Sequence, residues 1–383
     1  MAVRIKQLFL VLLVLVFFSC KDEISNNPVS GYTTGGAESF LDIKIGQMLL
    51  IGFRGLDVSD TSMIIKDIKA GRIGGVVLYD RDVALNSAIR NIESEHQLRE
   101  LIKKLKSKAA IPLFISIDQE GGRVARLKEK YGFPSTVSQQ YLGEVNNSDT
   151  TEFYYDRTAS VLRKLGINVN YAPVVDLNVN PESPAIGKIG RSFSDNPDKV
   201  VYHSLIAINS HHKMNIFTAL KHFPGHGSAS ADSHLGFTDV TNTWSDEELE
   251  PYRRMIKFGY NDLIMTAHIF NSKLDPDYPA TLSKKIITGI LREQLGFQGV
   301  VITDDMGMGA ITNYYGLETA VQKSIEAGAD IFLFANNIVY DEMIAVKVRA
   351  IVKELIAKGI ITEKRIDESY QRIMKLKNKL KYI

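Results

Sequence analysis

Eight short apolar runs, separated by charge-rich segments, constrain the fold of this 383-residue chain more than any other feature of its sequence. The runs are often rich in branched aliphatic residues and do not alternate apolar with polar positions. This pattern is typical of parallel strands that are buried on both faces. We therefore predict strands over Met48–Phe53, Gly75–Leu78, Leu113–Ile117, Ile167–Ala172, Ile216–Leu220, Leu263–Thr266, Val300–Thr303 and Ile331–Phe334.

Amphipathic segments lie between these runs and predict helices. Alternation of strands with helices indicates βαβ units. Eight such units predict an α/β fold, a TIM-type (β/α)8 barrel that forms a single catalytic domain. The alternative, a doubly wound open sheet, would more naturally carry a GxGxxG turn after its first strand, and no such turn stands there. The predicted helices include Ser94–Ser107, Asp156–Leu165, Lys284–Leu295 and Leu317–Ala327.

The N-terminal segment has the order of a secretory signal. Arg4 and Lys6 precede an unbroken apolar run over Leu8–Phe18, shorter than the about 20 residues that span a bilayer. Ser19 and then Cys20 follow the run; Cys20 is the one cysteine of the chain and has no partner for an internal disulfide. This order resembles a bacterial lipoprotein signal, although Phe17 stands where an aliphatic residue is usual. We predict that residues 1–19 are a signal peptide and that Cys20 becomes the lipidated N-terminus.

The predicted organisation has three parts: the signal peptide, a polar tether at 20–39 that includes Cys20, and the barrel domain at 40–383. Removing the signal takes the formal net charge from +2 to 0. A protein with no net charge has no overall electrostatic attraction to nucleic acid, so we predict that it does not bind nucleic acid. We expect it in the cell envelope, attached to a lipid membrane by its anchor, on the periplasmic or the outer-surface side.

Polar residues stand at the ends of five predicted strands, where a (β/α)8 barrel builds its active site. A single acid after a strand is commonly a helix cap. Convergence of several strand ends instead predicts a functional site. The residues concerned are Asp118, Asp176, Lys221 with His222, His268, and Asp304 with Asp305.

The densest polar segment runs from Lys221 to His234 and is rich in glycine and small residues. In it, Asp232 and His234 stand two positions apart. A carboxylate that accepts a proton from one imidazole nitrogen raises the basicity of the other, as a general acid/base requires. A metal site is the rival interpretation, because His222, His226, Asp232 and His234 are all plausible ligands. Their spacing matches no HExxH pattern and Lys221 would repel a cation, so we predict no metal and no cofactor; a polar loop without a catalytic role is the third interpretation.

Several motifs resemble those of the family 3 glycoside hydrolases, specifically the β-N-acetylglucosaminidase branch. The resemblance runs from about Ile45 to the C-terminal helix. Its most specific element is KHFPGHGxxxxDSH, because the β-glucosidases of the family look similar at Lys-His but lack Asp-Ser-His. The other motifs are IGQMLLIGF at 45–53, IDQEGGRVARL at 117–127, NYAPVVDL at 170–177, GRSF at 190–193, MTAHI at 265–269 and VITDDMGM at 301–308.

The resemblance implies roles for individual residues. Asp304 matches the nucleophile, His234 the general acid/base, and Asp232 the group that orients His234. It implies a retaining exo-glycosidase that releases terminal β-linked N-acetylglucosamine from glycans or muropeptides through a covalent Asp304 intermediate. Asp305-Met-Gly-Met replaces the Leu-Ser or Leu-Thr pair that often follows the nucleophile. The residues matching those that hold the sugar are Asp118, Arg126, Arg191, Lys221 and His222.

Two other functions remain open at this point. One is a β-glucosidase specificity on the same fold, which the Asp-Ser-His segment argues against. The other is a catalytically inactive, surface-anchored sugar-binding protein. An inactive relative would be expected to have lost its nucleophile or its acid/base, whereas this chain has both Asp304 and His234.

Overall fold

The computed structural model describes residues 38–233 and 236–382. The predicted signal peptide, Cys20, most of the tether and His234 lie outside the described residues. A compact unit begins at Glu38 and contains all of the elements given below.

Eight parallel strands form one sheet in the order β7-β6-β5-β4-β3-β2-β1-β8. In register, Leu50 of β1 pairs with Gly75 of β2 on one side and with Leu333 of β8 on the other. A parallel bridge between Ile302 and Ile331 links the two ends of the sheet. The sheet therefore curls into a cylinder, and the predicted TIM-type (β/α)8 fold is confirmed. The strands are β1 (Leu49–Gly52), β2 (Gly75–Leu78), β3 (Phe114–Ile117), β4 (Val169–Asn170), β5 (Phe217–Phe223), β6 (Leu263–Thr266), β7 (Val300–Ile302) and β8 (Phe332–Phe334).

Helices connect the strands. Ser39 and Asp42 cap the first one reciprocally, each side chain accepting the other's backbone N–H. The α-helices are α1 (Phe40–Gln47), α2 (Met63–Lys69), α3 (Glu95–Ser107), α4 (Gln139–Val145), α5 (Ser148–Leu165), α6 (Pro197–Lys213), α7 (Glu250–Lys257), α8 (Gly309–Thr312), α9 (Leu317–Ala327), α10 (Ile344–Ala357) and α11 (Glu363–Asn378). Short 3₁₀-helices cover Glu129–Tyr131, Gly187–Ile189, Asp246–Leu249, Ala280–Leu282 and Lys379–Tyr382.

The segment predicted as a helix over Lys284–Leu295 is a π-helix over Lys285–Gln294. Its buried residues include Ile286 and Leu291, which stand five positions apart. That spacing suits the wider turn, in which each N–H reaches back five residues rather than four.

Every residue of every strand is buried, as expected for strands that have the barrel interior on one face and helices on the other. One large hydrophobic cluster includes residues of the strands and of the helices that surround them. Among the described residues, no helix is both long enough and apolar enough to cross a membrane.

Two strands end more than one residue away from the predicted position at their carboxyl ends. β4 stops at Asn170 because Pro173 soon follows, and proline has no N–H to donate to a neighbouring strand. β5 continues through Phe223, with a register shift between Leu220 and Phe223. Lys221 and His222 therefore lie within the fifth strand, so the prediction that they follow it was wrong.

Candidate active site

A cavity of about 310 Å³ lies where several strands end, and predicted site residues line it. β3, β5 and β7 or the turns after them supply most of these side chains. The remaining predicted catalytic residue, His234, lies outside the described residues. The predicted residues that line the cavity are Asp118, Arg126, Arg191, Lys221, His222, Asp232, Asp304 and Asp305.

Alternating charges lie along one side of this cavity: Asp118, Arg126, Arg191 and Lys221 line it, and Glu120 is buried behind them. The Lys221 ammonium lies 2.8 Å from Asp118 Oδ1 and 2.6 Å from Glu120 Oε1. Arg191 donates to both oxygens of Glu120, at 2.8 and 2.7 Å, and Arg126 lies 3.4 Å from Asp118 Oδ2. We call these five residues the charged floor. Each charge in the floor has an opposite charge within reach, which is how ionised groups persist when buried.

The electrostatics of the charged floor favour two ionised carboxylates. Burial works against the charge on each acid, but the cations outweigh it. Arg191 and Lys221 lower the pKa of Glu120 to about 2, and Lys221 and Arg126 hold the pKa of Asp118 well below its usual range. The floor thus offers fixed acceptors beside fixed donors, which suits recognition of a hydroxyl-rich ligand.

The hydrogen bonds of His222 define its tautomer. Arg191 Nη2 can only donate, so His222 Nε2 accepts from it at 3.2 Å. The proton therefore sits on Nδ1, which donates to Asp176 Oδ2 at 2.7 Å. Burial first, and then the charges of Arg191 and Lys221, lower the pKa of His222 well below its usual value. His222 is therefore a neutral part of the cavity wall, and its Nε2 carries no proton at neutral pH.

The two adjacent acids after β7 have different surroundings. Asp304 is partly exposed at the cavity, and one of its oxygens accepts from Asp305 N at 2.8 Å. Asp305 is buried and accepts from the backbone N–H groups of Gly307 at 3.0 Å and Ala335 at 2.8 Å. Its carbonyl accepts from His268 Nε2 at 2.9 Å. Asp305 therefore ties the turn after β7 to the end of β8. Asp304 is the acid that is placed for contact with a ligand.

The loop after β5, residues 224–233, forms another part of the wall. It carries Asp232, which is partly exposed at the cavity. Ser233 accepts from Ala310 N at 3.3 Å through its carbonyl, and its hydroxyl lies 3.1 Å from His226 Nε2. His226, one of the conceivable metal ligands, thus bonds within its own loop. In the described ranges 38–233 and 236–382, no group of three or more His, Cys, Asp or Glu side chains is arranged to hold a metal ion.

Sequence reasoning missed Glu120, which pairs with two of the predicted residues. It stands two positions after Asp118 in the quoted IDQEGG motif, and that proximity was the one available signal. It also left Asp176 without a role. Asp176 has no accessible surface and accepts from His222 N at 3.0 Å and His226 N at 2.8 Å, in addition to the His222 ring. It holds the end of β5 and the start of the next loop together.

The chain is thus a (β/α)8 barrel with a charged cavity at the carboxyl ends of its strands, and comparison with known proteins identifies its family. The model of the glycosyl hydrolase family 3 N terminal domain matches residues 40–376. The chain therefore belongs to glycosyl hydrolase family 3.

Similar proteins have related names. The chain is 35% identical to beta-hexosaminidase A of Pseudoalteromonas piscicida over 336 residues, 80% of this chain and 54% of that protein. It is 34% identical to a beta-hexosaminidase of Xylella fastidiosa (strain M23) over 328 residues, 82% of this chain and 92% of that protein. A family 3 beta-N-acetylglucosaminidase from Paenibacillus sp. superposes with a TM-score of 0.80 at 33% identity, covering 89% of this chain and 63% of that one. The chain thus spans about half to two thirds of the first and third of these relatives.

Proposed function

We propose that this protein is a retaining exo-glycosidase that hydrolyses terminal β-linked N-acetylglucosamine from glycans or muropeptides. The observation that carries the proposal is one cavity that brings four of the five charged-floor residues together with Asp304 and Asp232. The names of the relatives support the same activity. The Asp-Ser-His segment supports N-acetylglucosamine over glucose as the sugar.

In the proposed first step, an oxygen of Asp304 attacks the anomeric carbon through an oxocarbenium-like state while the glycosidic bond breaks. The leaving oxygen takes a proton from His234, which Asp232 orients. In the second step, water attacks the same carbon, gives its proton to His234, and releases Asp304 as a carboxylate. Two displacements retain the β configuration.

A histidine in place of the usual carboxylic acid suits this cycle. Its ordinary pKa of about 6.5 lets it donate in one step and accept in the next near neutral pH. The charged floor would hold the sugar, with Asp118 accepting hydroxyl protons and Arg126, Arg191 and Lys221 donating, while Glu120 holds Arg191 and Lys221 in place from behind. Because the floor is already paired, binding requires little rearrangement of it.

Release of nitrophenol from aryl β-N-acetylglucosaminide and from aryl β-glucoside tests the proposal. We expect the first substrate to react at least about tenfold faster in kcat/KM, and the first product seen by NMR to be the β anomer. Preference for the glucoside would establish the alternative specificity. Binding of the sugar without turnover of either substrate would indicate an inactive sugar-binding protein. Muropeptides and chitin oligomers, compared in one panel, would then identify the leaving group.

We also propose, from the sequence alone, that Cys20 is lipidated and anchors the protein to a membrane of the cell envelope. The order of basic residues, apolar run and cysteine supports this. Cys20→Ala should move the protein from the membrane fraction to the soluble fraction. A variant that remains in the membrane fraction would refute the anchor without bearing on the glycosidase.

A further inference from the structure

A buried acid that the proposed chemistry does not use lies beneath the loop after β5. Glu248 belongs to the 3₁₀-helix Asp246–Leu249 and has no accessible surface. Its Oε2 accepts from the backbone N–H groups of Gly227 at 3.0 Å and Ser228 at 3.4 Å. Gly227 and Ser228 stand four to five positions before Asp232. Glu248 therefore holds the segment from which the proposed acid/base pair extends.

The backbone is packed closely on both sides at this point. A Cβ added to Gly225, whose φ is +122°, would lie 2.6 Å from the Cβ of Glu248. A Cβ added to Gly227 would lie 1.6 Å from the carbonyl oxygen of Leu177. Since real Cβ atoms do not approach so closely, the loop has little freedom while Glu248 stays in place.

The charge environment of Glu248 is opposite to that of Glu120. Within the described residues, no lysine or arginine pairs with Glu248, whereas Glu120 has two cations. Its Oε1 is buried without a hydrogen-bond partner in the described structure. A buried carboxyl oxygen that has neither a cation nor a hydrogen-bond donor beside it favours the neutral form of the acid.

We infer that Glu248 is a positioning residue that anchors the loop after β5 in its neutral form and weakens that anchor when it ionises, so that pH controls where Asp232 and His234 stand. The inference rests on the proposed function, because it assigns the acid/base to this loop. Glu248 acts through the loop and does not touch the substrate.

The surrounding titratable groups set the pH of this change. Burial is the main cause that raises the pKa of Glu248 to about 7, and the negative charge of Asp176, after β4, adds to it. The Ser228 hydroxyl and the two backbone N–H groups act in the opposite direction, because they favour the ionised form. Burial raises the pKa of Tyr252 on α7 well above its usual value and lowers that of His226 in the loop, so both are neutral. A Glu248 exposed to water would ionise near pH 4.5. As the pH rises through 7, conformations of the loop in which Glu248 is exposed to water therefore become more favourable relative to the conformation in which Glu248 is buried and anchors the loop.

Glu248→Gln separates this role from a purely structural one, because glutamine is neutral at every pH and still accepts a hydrogen bond. With a disaccharide, whose leaving group is poor, we expect the variant to match the wild type at pH 6 and to exceed it about three- to tenfold at pH 8.5. With an activated aryl glycoside the two proteins should stay within about twofold, since leaving-group protonation matters less. Glu248→Ala should lose disaccharide turnover at both pH values. Glu247→Gln, an exposed neighbour, is the matched control and should follow the wild type.

Amide hydrogen exchange of the peptide holding residues 225–233 tests the anchor without reference to activity. After correction for intrinsic rates, wild-type protection should fall between pH 6 and 8.5, and protection in Glu248→Gln should not. Equal pH dependence in the two proteins would overturn the inference while leaving the proposed glycosidase intact. If neither protein hydrolyses any β-N-acetylglucosaminide, the proposed function fails, and the exchange result still decides whether Glu248 anchors the loop.

Discussion

The charged floor and the loop after β5 face the same cavity but are held in place differently. Side-chain ion pairs hold the floor, and each of its buried carboxylates lies within 3 Å of a cation. The start of the loop, residues 226–228, which we call the loop root, is held through its backbone N–H groups: Asp176 accepts from His226, and Glu248 accepts from Gly227 and Ser228. The difference indicates that the proposed sugar-binding half is preformed, whereas the proposed acid/base half depends on the position of a loop.

Such a division suits an exo-glycosidase. The terminal sugar is constant, so rigid groups can recognise it at little entropic cost. The leaving group varies in size, and a glycine-containing loop can adapt to it and exclude water. The predictions that follow test whether the two halves are separable.

The largest expected effect is the loss of Asp304, which follows β7 and lies outside the loop after β5. Asp304→Ala should lower kcat by roughly 10⁴–10⁶-fold with every substrate, good or poor leaving group alike, because no glycosyl intermediate can form. Thermal unfolding should be nearly unchanged. A 2-acetamido-5-fluoro glycoside should label Asp304, as fragmentation of the modified peptide would reveal; a label on Asp305 would contradict the assignment.

Loss of the acid/base on the loop should instead depend on the substrate. His234→Ala should cost about 10²–10⁴-fold with a disaccharide and much less with an activated aryl glycoside. Asp232→Ala should show the same pattern in weaker form, because Asp232 acts through the histidine. Azide should partly restore turnover of the aryl substrate, since it attacks the glycosyl enzyme without a general base. Equal losses on both substrates would mean that His234 is not the acid.

A substitution in the charged floor should lower both the unfolding free energy and the affinity for substrate. Glu120→Gln leaves Arg191 and Lys221 buried with one carboxylate fewer, which should destabilise the fold by about 3–5 kcal/mol. KM should rise more than kcat falls, because the floor holds ground state and transition state alike. Denaturant unfolding and steady-state kinetics measure the two effects. The control is Glu182→Gln, at an exposed position; equal behaviour of the two variants would mean that the floor is not preformed by its ion pairs.

The sequence allowed prediction of the barrel and of most of the cavity wall for a physical reason. Strands buried on both faces are continuous apolar runs, and polar residues directly after such runs fall at one end of the barrel. The end of β5 was placed too early because a charged residue usually ends a buried run. Lys221 continues the strand here because Asp118 and Glu120 neutralise it inside the protein.

Partners that are distant in sequence account for what could not be predicted. Glu120 meets Arg191 across 71 positions, and Glu248 meets Gly227 across 21. Neither spacing has a local pattern, so an isolated acid in the sequence does not reveal whether it will be paired, unpaired or exposed. Asp304 and Asp305 are adjacent and chemically alike, and only the fold separates the one that faces the ligand from the one that bonds the backbone.

The smallest expected effect distinguishes the two halves by the sign of their pH dependence. The pKa of Glu120 is lowered to about 2, so its contribution to stability is present above pH 4.5 and is lost as the pH falls toward 2. The pKa of Glu248 is raised to about 7, so its contribution is present below pH 4.5 and is lost as the pH rises through 7. Relative to the wild type, Glu248→Gln should therefore gain about 1–3 kcal/mol in unfolding free energy between pH 5 and pH 8.

Over the same pH range the deficit of Glu120→Gln should stay constant, and it should shrink only below pH 4.5. Denaturant unfolding of the wild type and both variants at several pH values gives both curves from one set of measurements. If the unfolding free energies of both variants, each relative to the wild type, changed in the same direction with pH, the charged floor and the loop root would share one electrostatic environment. The separation of a preformed binding half from a pH-sensitive loop half would then be wrong, because a single coupled network would hold both.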